Sequence, residues 1–240
     1  MGLFDATRNA TARSEVRQAH QPVAHIDPIT DTIQRILSIG IDGRGPYKGA
    51  AALADAALAR HGGDAEAAIN ALARGGIVMA AGAGFVTSLG GFVTMPVAIP
   101  ANVLEFYITA TRTVGAIAKL RGYDVTDPAV RTAVLLTLVG AKATDILNLA
   151  GVTLGTNALG GLAERGLPKA AVMVINKAVG FRLLKKLGEQ WLERFGRGVP
   201  VIGGAVGATV DGVMLSRIAG EARTQFPAIV APVVRDWGVR

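Results

Sequence analysis

The stretch Gly75–Leu104, GGIVMAAGAGFVTSLGGFVTMPVAIPANVL, decides the fold. It runs thirty residues without a charged side chain, longer than the ~20 apolar residues with which a helix spans a bilayer. Its content argues against a stable span. Between Gly75 and Thr94 the residues that favour insertion are Ile77, Val78, Phe85, Val86, Leu89, Phe92 and Val93. At about −0.3 to −0.6 kcal/mol each they supply only a few kcal/mol. Six glycines, Thr87, Ser88, Thr94, Pro96 and Pro100 interrupt the run. The small residues instead follow a period: Gly76, Ala80, Gly84 and Ser88 lie four apart and form one smooth ridge along a helix. Gly204, Ala208 and Gly212 repeat the pattern. Such ridges let helix backbones approach closely, in membranes and in packed bundles alike. The favoured reading is two core helices in contact, with a membrane-inserting hairpin as the alternative. GFVTSLGGFVT also has the form of a β-hairpin turning at Gly90-Gly91. Its neighbours read as helical and an isolated hairpin is marginal, so a helix that breaks there is expected.

Outward from this segment the chain reads as helix almost throughout. Asp27-Pro28 and Asp127-Pro128 pair a capping side chain with a proline suited to the first turn. Ile29, Ile33, Ile36, Leu37 and Ile41 recur at helical spacing, and Gly40, Gly43 and Gly45 close that helix. Residues 48–61 form a small-residue helix stopped by Gly62-Gly63, and Asp64 caps the next. Further helices follow Pro96 or Pro100, Pro168 and Pro200. The uncharged run Ile146–Ala163, with four glycines, Asn148 and Asn157, is a packed, kinked segment of the same kind. The expected architecture is an all-α, compact multi-helix bundle of about seven or eight helices with Gly/Ala-rich packing. Residues 1–26 are expected to be a polar, flexible N-terminal arm, and 27–240 a single α-helical domain. The arm has no apolar h-region of a secretory signal, and Ala6 stands where myristoylation after Gly2 wants Ser or Thr.

Composition excludes much chemistry. Half of the 240 residues are hydrophobic and cysteine is absent. Disulfides, thiolate catalysis and cysteine-ligated zinc or iron–sulfur sites are therefore excluded. The histidines are His20, His25 and His61, and the two in the arm read as solvated side chains. No phosphate-binding loop, dinucleotide turn or nucleophile elbow occurs. No catalytic, cofactor-binding or metal-ligating residue is assigned, and no cofactor is expected. Without a recognition motif or interleaved aromatic and basic residues, no nucleic-acid partner is expected either.

The net charge of +7 is concentrated. Residues 164–197 hold eight Lys or Arg against three Glu. Within them Arg182, Lys185, Lys186, Glu189 and Glu193 share one helical face, while Phe181, Leu184, Leu187, Trp191 and Phe195 fall on the other. A basic amphipathic helix with Trp suits an anionic membrane surface, and equally an ordinary helix with its apolar side in the core. Lys177, Arg182, Lys185, Lys186 and Trp191 are the candidate surface contacts. Asn102, Glu105, Asp145, Asn176 and Asp211 lie within apolar helices. Burial of such groups is costly unless they are paired, so they are the candidate buried polar network, with Lys177–Asp211 as one expected pair.

Five segments then resemble a known family. YKGAAALADAAL (47–58), GFVTSLGGFVTMPVAIPANV (84–103), YITATRTVGAIAKLRGYD with DPAVRTAVLL (107–136), INKAVGFRLLKKLG (175–188) and VPVIGGAVGATVDGVM (199–214) resemble, in order and spacing, the bacterial EcsC family. The resemblance covers roughly 45–226. It implies a bacterial α-helical protein on the cytosolic side with membrane association, and no catalytic residue set. The function expected is a non-enzymatic protein that associates with anionic lipid or the inner face of the cytoplasmic membrane. It would do so through the basic helix and the Gly-rich hairpin. The alternatives are a soluble scaffold docking on a membrane protein such as an ABC transporter, and an enzyme on a lipid-like substrate using Glu105, Asp145 or Asp211. The sequence assigns no oligomeric state.

Overall fold

A computed structural model describes residues 28–45, 47–89, 101–140, 143–153, 159–162, 166–195 and 200–229. Among them the chain forms eight α-helices: α1 Pro28–Leu37, α2 Ala50–Arg60, α3 Ala65–Leu89, α4 Ala101–Leu120, α5 Pro128–Val139, α6 Ala143–Leu149, α7 Lys169–Phe195 and α8 Pro200–Gln225. The all-α bundle expected from the sequence is the fold observed. Gly90-Gly91, the residue Asp27 and the arm lie outside the described residues.

Local chemistry sets the helix ends. The Asp127 side chain accepts a hydrogen bond from the Ala129 amide at 2.6 Å, with Pro128 in the first turn. Asp64 caps α3 through the Ala67 amide at 3.0 Å. Asp127→Ala is expected to lower stability by about 1 kcal/mol. Urea unfolding checks this, and an unchanged midpoint would show the cap to be idle. The first helix ends differently from the sequence expectation. It stops at Leu37, and Ser38–Asp42 continue as a wider π-helical turn. A short antiparallel ribbon follows, β1 Gly43–Arg44 paired with β2 Tyr47–Lys48, so α2 starts at Ala50 rather than at residue 48. Gly43 has φ +83°, and a Cβ there would lie 2.5 Å from the Gly49 amide nitrogen.

Helix α4 is the centre of the bundle, packed against α1, α2, α3, α5 and α8. Ile108, Val114, Ile117 and Ala118 are buried, as are its threonines 109, 111 and 113. The Thr111 and Thr113 hydroxyls donate to the carbonyls of Tyr107 and Thr109, one turn back. Their polarity is satisfied within the helix and their methyl groups serve the core. Helix α5 is buried almost all round, through Val130, Val134, Leu135, Leu136 and Leu138.

Helices α3 and α8 pack on each other, and one described residue of each small-residue ridge lies at that contact. A Cβ on Gly76 of α3 would come within 2.8 Å of Thr113 Oγ1 and 3.0 Å of Leu215 Cδ2 on α8. Gly212 of α8 faces Ile77 and Ala81 of α3, and Ala80 is buried. Gly76 thus gives room to Thr113 of α4 and Leu215 of α8, and Gly212 lies in ordinary contact with α3. Among the described residues no helix is long and apolar enough to cross a membrane.

Candidate functional site

Helix α7 carries the basic segment and packs on α1, α5 and α6. Its inward face is Ala171, Ile175, Val179 and Leu183. The register decides where Phe181 points, which the sequence left open between core and surface: it is 60% exposed. The hundred-degree step per residue explains this: once Ile175, Val179 and Leu183 face inward, Phe181 must face out. Met173 (68% exposed) and Val174 (40%) lie on the same outward stripe, at positions eight and seven before it. Lys177 and Lys185 are exposed there as well. Apolar and basic side chains therefore alternate on one open face.

The other sequence candidates sit on α4, α6, α7 and α8. Arg182 lies half-buried, with Nη1 3.5 Å from Asp145 Oδ2 on α6. Asp145 is itself exposed, which corrects its expected burial. Helix α6 is seven residues long and turns Ile146 and Leu147 inward, so Asp145 is left at the surface. Asn176 is half-buried, and its Oδ1 has no hydrogen-bond partner among the described residues. Glu105 is partly buried on α4. Asp211 of α8 acts on the Tyr107 phenol, which burial pushes well above its ordinary range and the Asp211 charge raises further. The structure thus joins Asp145 to Arg182, and Asp211 electrostatically to Tyr107. Asn102 lies in the first turn of α4 and Lys186 and Trp191 in α7, with side chains outside the described set.

A feature the sequence reading missed lies on the other side of the bundle. A cavity of about 300 Å³ opens between α2, α3 and α4. Leu53, Ala57, Leu72 and Met79 form its apolar wall. Arg60, His61, Thr109, Arg112 and Thr113 form its polar wall, and among the described residues no Asp or Glu lines it. Arg112 is 9% exposed. Its Nε donates to the Lys48 carbonyl at 3.0 Å, and its guanidinium carbon lies 5.4 Å from the Tyr47 ring centre. Burial lowers its pKa and Tyr47 opposes that. The available signal was Arg112 itself, a cation in an uncharged helical run with Thr109 and Thr113 on its face. Among the described residues no group of three or more His, Asp and Glu is placed to hold a metal ion.

Neither a protein-family model, nor a curated protein, nor a solved structure matches the chain. The EcsC resemblance rests on the quoted segments alone.

Proposed function

We propose that this protein associates peripherally with an anionic membrane surface, at the cytoplasmic face, through helix α7. The observation that supports this is the open face on which Met173, Val174 and Phe181 interleave with Lys177 and Lys185. Apolar side chains at that density reach the interface while the lysines remain at headgroup level. The five-charge surplus of residues 164–197 matches an anionic surface, at about 1 kcal/mol per basic residue. Val210 and Val213 of α8 and Val78 and Met79 of α3 are also exposed, beside the Gly-rich segment. They supply a second apolar contact.

Vesicle flotation tests the reading. The protein should float with phosphatidylglycerol vesicles at low salt, stay behind with phosphatidylcholine, and be released as salt screens the attraction. Lys177→Glu with Lys185→Glu, and separately Phe181→Glu, should each weaken partitioning at least about tenfold. Flotation that resists salt would assign the contact to the Gly-rich segment. No flotation, or flotation indifferent to all three substitutions, would overturn the proposal and turn the face toward a protein partner such as a transporter.

A further inference from the structure

The cavity between α2, α3 and α4 has no lining residue on α7, so its chemistry is independent of a membrane contact made by α7, although Met79 also belongs to the second apolar patch. Its polar wall carries Arg60, His61 and Arg112 with, among the described residues, no carboxylate to balance them. Arg112 is nine-tenths buried. Among the described residues its one hydrogen bond goes to a backbone carbonyl, and no carboxylate pairs with it. A guanidinium does not discharge by losing a proton at ordinary pH, and a buried cation without a counter-ion is costly. The Lys48 carbonyl and the Tyr47 ring offset part of that cost. They engage Nε and the ring face of the group and leave the terminal nitrogens, the fork that grips an oxyanion.

The rest of the wall is aliphatic, with Leu53, Leu72 and Met79, and Gly75 and Gly76 add no side chain to it. At about 300 Å³ the cavity is at the small end of ligand pockets. His61 Nδ1 lies 2.8 Å from the Ala57 carbonyl, which leaves Nε2 for a ligand. We infer that this cavity binds a phosphate monoester with a short alkyl body, its head group held by Arg112, Arg60 and His61 and its chain by the leucines and Met79. The same chemistry occurs in a free alkyl phosphate and in a phosphatidate head group.

Calorimetric titration of the full chain with octyl phosphate, kept below its micellar concentration, tests this. One molecule should bind per chain. Octyl glucoside and inorganic phosphate should each bind at least about tenfold more weakly, since one lacks the charge and the other the chain. Arg112→Met should weaken octyl phosphate by about tenfold or more. That substitution also frees β2, so a second variant is needed. A Cβ on Gly75 meets nothing within 4 Å, so Gly75→Leu should fold normally, occupy the cavity and bind at least about tenfold more weakly. Displacement of octyl phosphate by phosphatidate vesicles would assign the head group to lipid. Failure to displace it would assign a free phosphate, and both results uphold the site. Absent binding of octyl phosphate, equal binding of octyl glucoside, or full affinity in Gly75→Leu would overturn it.

Discussion

Phe226→Ala is expected to lower the unfolding free energy by about 3–5 kcal/mol. The ring is fully buried just past the end of α8. It stands edge-on to Tyr123, with centres 5.2 Å apart and planes at 75°, an arrangement that adds about 0.5–1.5 kcal/mol to simple burial. Tyr123 in turn fills the space where a Cβ on Gly160 would go. Residues 159 and 160 are tied to the same corner, because their amides donate to Gln225, one to its side chain and one to its carbonyl. One ring therefore fixes three segments: the end of α8, the turn after α4 and the 159–162 turn. Leu159 and Leu162 are already buried beside it, so little is free to fall into the vacated space. Urea unfolding measures the loss as a lower midpoint at unchanged slope. A loss under about 1 kcal/mol would show that the corner collapses and holds nothing.

The second large effect comes from adding a single methyl group. A Cβ on Gly115 of α4 would sit 2.8 Å from the Ala50 Cβ of α2. Ala50 is fully buried and its methyl has no rotamer by which to move aside, so the two helices must part. Alanine gains roughly 1 kcal/mol of helix propensity over glycine, but overpacking costs about 1–3 kcal/mol. Gly115→Ala should therefore be destabilising, by up to about 2 kcal/mol. Gly82→Ala should have the opposite sign. A Cβ there meets nothing within 4 Å and the site is exposed on α3, so a gain of about 0.5–1 kcal/mol is expected. Thermal unfolding of the pair separates close approach from propensity. Equal shifts in both would refute the tight α2–α4 contact.

Helix starts were legible in the sequence because their cause is local: Asp127 caps the helix that opens at the adjacent Pro128, and Asp64 the helix that begins beside it. The pairing of α3 with α8 was legible in their two small-residue periods, which mark helix faces suited to packing. The face of α7 was not. A helical period in Phe181 and its neighbours defines two sides, but only packing against α1, α5 and α6 selects the inner one. Ile175 and Val179 decided it, upstream of the charged cluster. The ribbon at 43–48 escaped because two-residue strands carry no alternation to read. Arg112 escaped because its neighbours along the chain are not its neighbours in the fold: Lys48 lies 64 residues away.

The pairing of α3 with α8 also has a consequence in time. It is the most extensive helix contact in the bundle, and more than a hundred residues of chain separate its two members. At roughly 5–20 residues per second a ribosome needs about 5–20 s to make the intervening chain. Throughout that interval Gly76, Ile77 and Ala81 of α3 lack their α8 neighbours, while α4, made next, can dock at once. The α3–α8 contact thus forms only after every other described helix has been made. Folding of this corner therefore has to wait on synthesis rather than on the chain's own search for contacts.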